Sequence, residues 1–240
     1  MPSALEIDVN SHASVPAMAD TLAGEIVARL AKAIAERGEA SLAVSGGSTP
    51  KPLYQRLSVA DLDWSKVTIV LVDDRWVEPG EAGSNEDFVR DSLLQNKAVA
   101  ARFIGLKTPG LKPADGLAAA ESRLTDLPLP LDVSILGMGN DGHTASWFPD
   151  AVGLDNCLNS ERALLAAVRA ERSEVTGDHL DRITLTRRPI ARSGAIYLMV
   201  NGEAKRETLA AAAAGSDVAA MPVRSLLQDD TLPLSIHWAG

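Results

Sequence analysis

The chain has 240 residues, 46% of them apolar and 23% charged, an ordinary globular composition with enough length to bury a substantial core. Lys and Arg number 23 against 32 Asp and Glu, so the net charge is −9, and only 4% of residues are aromatic. These numbers exclude the basic footprint of a nucleic-acid binder and the stacking surface of a single-strand binder. The single cysteine, Cys157, excludes an internal disulfide framework and any multi-cysteine zinc site.

The N-terminal residues MPSALEIDVNSHAS carry neither a basic segment nor an apolar one, so no signal peptide is expected. No run of about 18 apolar residues occurs, so no membrane contact is expected either. The expected location is the cytoplasm.

In chain order, Ala4–Val9 alternates apolar and acidic residues as a half-buried strand would. Ser14 and Pro16 signal entry to a long helix whose buried stripe is Met18, Leu22, Ile26, Leu30 and Ile34, with a stop at Arg37-Gly38. Strand Leu42–Val44 leads into SGGSTP and a helix over Lys51–Leu57. Strand Val67–Val72 leads into DDRW. Pro-rich Leu127–Leu131 reads as a loop before strand Val133–Leu136, which leads into GMGNDGH. Ile183–Thr186, Ala195–Val200 and Leu234–Trp238 complete the strands, and an Ala-rich helix covers Glu203–Ala214. Continuous apolar strands alternating with helices predict an α/β fold: an open, mainly parallel, Rossmann-like sheet with helices on both faces. No repeat or linker divides the chain, so a single domain over 1–240 is expected. Four polar motifs follow directly after apolar strands, at the strand ends where ligands bind in such sheets.

Each motif has a chemical and a structural reading. Ser45, Gly46, Gly47, Ser48 and Thr49 offer hydroxyls and N–H groups at a helix start, a phosphate cradle in physical terms; the alternative is an ordinary Gly-Ser turn before Pro50. The pattern GxxxxGK[ST] is absent, which argues against an NTPase. Asp73, Asp74 and Arg75 form either a salt-bridged strand end or a site in which Arg75 meets phosphate and Asp73 meets sugar hydroxyls. Gly137–Gly142 matches GxGxxG, yet Asp141 would stand where a pyrophosphate belongs and the motif lies mid-chain, so a dinucleotide site is rejected. The glycines instead present Asp141 and His143 to the crevice, as a general base oriented by a carboxylate. Lys205, in the first turn of its helix, opposes the helix dipole unless an anion is bound there. His12, His179 and His237 lack a comparable setting. No HExxH, Cys/His cluster or GxSxG is present, so neither a metal nor a serine nucleophile is expected, and no cofactor is called for.

Taken together, SGGSTPKPLY, DDRWV, SNEDFVRDSLL, GMGNDGHTASWFP, RITLT, GEAKRETL and MPVRSLL, in this order between about Ser41 and Leu227, resemble the 6-phosphogluconolactonase family, which is grouped with the glucosamine-6-phosphate isomerases. The resemblance implies hydrolysis of 6-phospho-D-glucono-1,5-lactone in the oxidative pentose phosphate pathway. It implies that the Ser45–Thr49 loop, Arg75 and Lys205 hold the phosphate while His143 acts on water. Two departures stand out. Asp74 replaces the family's usual Glu, and Phe148 occupies the position where the isomerase branch carries a glutamate. Phe148 favours the lactonase over a glucosamine-6-phosphate isomerase or deaminase. A non-catalytic sugar-phosphate sensor would need a DNA-binding module for which there is no room. The expected partner is a phosphosugar lactone; a monomer and a small homo-oligomer are both compatible with the chain. The contact made by Arg182, the role of Trp147 and the oxyanion donors stay open.

Overall fold

The computed structural model describes residues 7–78 and 80–240. In chain order the elements are β1 (Val9–His12), α1 (Val15–Arg37), β2 (Ala40–Val44), α2 (Lys51–Val59), β3 (Val67–Leu71), β4 (Asp73–Arg75) and α3 (Asn85–Ser92). They continue with β5 (Arg102–Ile104), α4 (Pro113–Arg123), β6 (Val133–Gly137), α5 (Leu154–Asn159), β7 (Leu165–Arg169) and β8 (Asp181–Leu185). The chain ends with α6 (Arg187–Ala191), β9 (Ile196–Asn201), α7 (Glu203–Ala214), α8 (Arg224–Leu227) and β10 (Leu234–Ala239).

Helix α1 follows from its local sequence. The Ser14 side chain accepts a hydrogen bond from Ala17 N at 3.2 Å, Pro16 sits in the first turn, and Gly38 closes the helix at φ 83°. Met18, Leu22, Ile26 and Leu30 are fully buried as expected, but the stripe ends on Ala33, and Ile34 is only partly covered. A strict four-residue spacing drifts by about 40° per step on a 3.6-residue helix, which carries Ile34 off the buried face.

Seven strands form one parallel sheet in the order β1-β10-β9-β6-β2-β3-β5. Strands β2 and β3 are buried at every residue, which is why they read as continuous apolar runs with no alternation. From β2 the chain moves outward through β3 to β5, and from β6 it moves the opposite way through β9 to β10. Right-handed crossovers then put α1 and α2 on one face and α7 on the other. The direction reverses between the neighbours β2 and β6, and such a switch point opens a crevice beyond the strands' carboxyl ends.

The expectation of one sheet needs correction in two places. Asp73–Arg75, expected as a polar motif at the end of strand Val67–Val72, is itself strand β4, and the predicted strand Ile183–Thr186 falls on β8, which ends at Leu185; with β7 they form a separate antiparallel sheet, β4-β8-β7. Val72 joins the two sheets: its N–H donates to Val44 O at 2.9 Å and its carbonyl accepts from Leu185 N at 2.7 Å. The predicted strand Ala4–Val9 falls partly on residues 4–6, outside the described ones, and β1 starts only at Val9. One contiguous apolar core spans both sheets. Among the described residues no helix is long and apolar enough to cross a membrane.

Candidate active site

A cleft of about 510 Å³ opens at the β2/β6 switch point. The Ser45–Pro50 loop lines it from the end of β2, Gly137–Asn140 and His143 from the end of β6, and Lys205 from the first turn of α7. Asp73, Arg75 and Arg182 enter from the antiparallel sheet. Sequence reading thus brings nine of its candidates to one cavity wall: Ser45, Gly46, Gly47, Ser48, Thr49, Asp73, Arg75, His143 and Lys205. Asp141 stands directly behind, bonded to His143.

The Ser45–Pro50 loop is held by Tyr54, whose fully buried hydroxyl donates to Ser45 O at 2.7 Å. No side chain caps α2, but Lys51 N–H donates to Ser48 O at 3.3 Å and Pro52 has no N–H, so the N–H groups without an acceptor among the described residues are chiefly those of the loop, Gly46 to Thr49. Gly47 adopts φ 99°, which favours glycine.

After β6 the chain turns tightly: Gly142 N donates to Gly139 O, Gly139 N donates to His143 O, and Gly142 takes φ 78°. This turn brings the His143 ring back onto Asp141, with Nδ1 2.6 Å from Oδ1 and the His143 backbone N–H donating to the same oxygen at 3.1 Å. A carboxylate can only accept, so Nδ1 carries the proton and Nε2 is left as the acceptor. A Cβ on Gly139 would overlap both the imidazole and the Asp141 carboxylate. Burial disfavours the charge on Asp141, but the hydrogen bonds donated by the His143 ring and backbone N–H, with the attraction of the ring in its protonated form, outweigh it, leaving this carboxyl below its usual range.

Three cations face the cavity. Arg75 donates from Nη1 to Gly83 O at 2.8 Å and to Asn85 Oδ1 at 2.9 Å. Lys205 has no hydrogen-bond or ion-pair partner among the described residues; burial pulls its pKa down while the Asp141 charge pulls it up, and burial prevails. Arg182 is 4% exposed and donates to the carbonyls of His179 and Thr176. Burial lowers it to about 10, against the support of Asp73, which leaves it charged at neutral pH.

Sequence reading left Asn85, Phe148, Arg182, Glu174 and Val175 unassigned, and all five line the cleft. Phe148 packs its ring 4.2 Å from the His143 ring, centroid to centroid, and lies 5.2 Å beneath the Arg182 guanidinium. Trp147 is structural: it is fully buried and its indole N–H donates to Leu185 O at 2.8 Å. Asp73 accepts from the Ser146 hydroxyl at 2.6 Å, whereas Asp74 turns away to accept backbone N–H groups of Arg75, Asn85 and Glu86. Among the described residues no three His, Cys, Asp or Glu side chains gather to hold a metal.

Residues 13–236 match the model of the family described as glucosamine-6-phosphate isomerases/6-phosphogluconolactonase. The chain belongs to that family. It is 44% identical to the 6-phosphogluconolactonase of Rhizobium meliloti (strain 1021), over 93% of this chain and 94% of that one. Identity to the 6-phosphogluconolactonase of Pseudomonas aeruginosa is 42%, over 90% and 88%. Among solved structures, a 6-phosphogluconolactonase from Shewanella baltica OS155 superposes with a TM-score of 0.92 at 42% identity, covering 98% of both chains. The resemblance drawn from seven ordered motifs is therefore correct, and the parallel sheet around the switch point is the family fold.

Proposed function

We infer that this chain is an enzyme that hydrolyses 6-phospho-D-glucono-1,5-lactone to 6-phosphogluconate, with His143 as general base. The observation that carries the mechanism is the Asp141–His143 pair, 2.6 Å apart, on the same cleft as three cations. The relatives named above, 42–44% identical over 90% or more of this chain, bear the lactonase name, and Phe148 sits against His143 where the isomerase branch carries a glutamate.

The substrate phosphate docks on the N–H groups of Ser45–Thr49 and on Arg75 and Lys205, which pins C1 near His143. Asp73, fixed by Ser146, accepts from sugar hydroxyls. Neutral His143 removes a proton through Nε2 as water attacks the C1 carbonyl. Asp141 stabilises the imidazolium that results. The tetrahedral intermediate then expels the ring oxygen, which takes that proton, and the new carboxylic acid gives its remaining proton to solvent and leaves as its carboxylate. A placed base of this kind supplies roughly 10²- to 10⁴-fold.

The test is turnover of freshly generated lactone, coupled to 6-phosphogluconate dehydrogenase and corrected for spontaneous opening. Wild type should exceed the buffer rate, and His143→Asn should lower kcat by roughly 10²- to 10⁴-fold with little change in KM. Wild-type turnover no faster than buffer would refute the reaction, and an unchanged kcat in the variant would refute the base.

A further inference from the structure

We propose that Asn85 is the positioning residue that aims the free edge of Arg75 at the substrate phosphate. The inference rests on the lactonase reading of the cleft and names a side chain that this reading does not require.

Asn85 opens α3 and is 4% exposed, with its carboxamide on the cleft wall. Its backbone N–H is anchored on Asp74 Oδ1 at 2.6 Å, and its Nδ2 donates to Asp73 O at 2.9 Å. Its Oδ1 accepts from Arg75 Nη1 at 2.9 Å. A flipped amide would set Nδ2 against a guanidinium and Oδ1 against a carbonyl and a carboxylate, so one orientation is enforced. On its other side the carboxamide touches Gly46, where any Cβ would collide with Oδ1. One side chain therefore bridges the Ser-Gly loop and the Asp73–Arg75 strand, two motifs far apart in sequence.

The consequence for Arg75 is specific. Nη1 carries two hydrogens, one spent on Gly83 O and the other on Asn85 Oδ1. Nε and Nη2 have no acceptor among the described residues, which leaves the edge of the fork that grips a phosphate bidentately. Both acceptors on Nη1 are neutral, so the guanidinium is oriented without being neutralised. An aspartate at position 85 would keep the shape, neutralise Arg75 and confront Asp73.

The experiment measures KM for the lactone and Kd for 6-phosphogluconate in Asn85→Asp, Asn85→Ser, Arg75→Ala and the double variant Arg75→Ala/Asn85→Ser. Losing a hydrogen bond to a charged group should raise both constants about tenfold or more, with the larger loss in Asn85→Asp. Because Asn85 acts through Arg75, its removal should add little once Arg75 is gone. Asn85→Ser keeps the test open if the aspartate variant fails to fold. Constants within about twofold of wild type in Asn85→Ser, or losses that add in the double variant, would overturn the proposal. An Arg75→Ala variant that binds 6-phosphogluconate as well as wild type would instead overturn the phosphate reading beneath it.

Discussion

His143 and Asp141 are two residues apart, so the pairing that defines the proposed base is local and was readable from GMGNDGH. The reason that stretch needs glycine is sharper in three dimensions. Gly139 does not sit at a positive φ; its constraint is the space that the imidazole and carboxylate occupy. Gly139→Ala should therefore leave the strand beneath intact and displace the His143–Asp141 pair. The expected outcome is a drop in kcat of about 10²-fold or more with a melting temperature within a few degrees of wild type. A kcat equal to wild type would show that the pair moves without cost. Asn85 escaped sequence reading, and the contacts of Arg182 and Phe148 stayed open in it, for the opposite reason. Their roles come from contacts across tens of residues: Phe148 with Arg182, and Asn85 with Gly46. Only the SNEDF and RITLT motifs hinted that Asn85 and Arg182 matter.

At the scale of elements, the strands buried on both faces were legible because hydrophobicity alone marks them. The antiparallel sheet was not. Its first strand is Asp-Asp-Arg and its outer strand is Leu-Ala-Ala-Val-Arg, and neither carries the β-branched signal of a strand. The first sheet also hides a contact that pattern reading dismissed. His12 on edge strand β1 and His237 on β10 share a 3.0 Å hydrogen bond, and the other His237 nitrogen meets Ser235 at 2.9 Å. Burial, and then the charge of His12, hold His237 below its ordinary value of 6.5, against the pull of Glu25. A depressed folded-state value means that the unfolded chain binds the proton first. Stability from keeping His237 neutral is complete above 6.5 and is lost as pH falls through that value towards the folded one. Urea melts at several pH values should show wild type losing stability below that point more steeply than His237→Gln. Parallel pH profiles for the two proteins would remove this histidine pair as a source of acid lability.

At the scale of the molecule, the cleft lies on the seam between two sheets that few backbone bonds join, Val72 among them. The Ser45–Pro50 and Gly137–Asn140 walls belong to the parallel sheet, Arg75 and Arg182 to the antiparallel one, and Lys205 to α7. Three cations are thus held near one another in a protein whose net charge is −9. Local composition opposes the global sign, so the cation cluster was visible only in motifs and never in the totals. A phosphorylated ligand that engages all three would relieve their mutual repulsion and cross-link the sheets. Binding to the folded state alone should stabilise it by RT ln(1 + [L]/Kd), about 2.7 kcal/mol at a hundredfold excess over Kd. For a chain of this length that corresponds to a rise in melting temperature of about 5–10 °C. 6-Phosphogluconate should produce this shift in wild type, and Lys205→Ala should need a higher concentration to reach it. Non-phosphorylated gluconate should do little, since it lacks the dianion that the proposed site would meet. Equal shifts with both sugar acids would mean that the carboxylate end, rather than the phosphate, is what the seam grips.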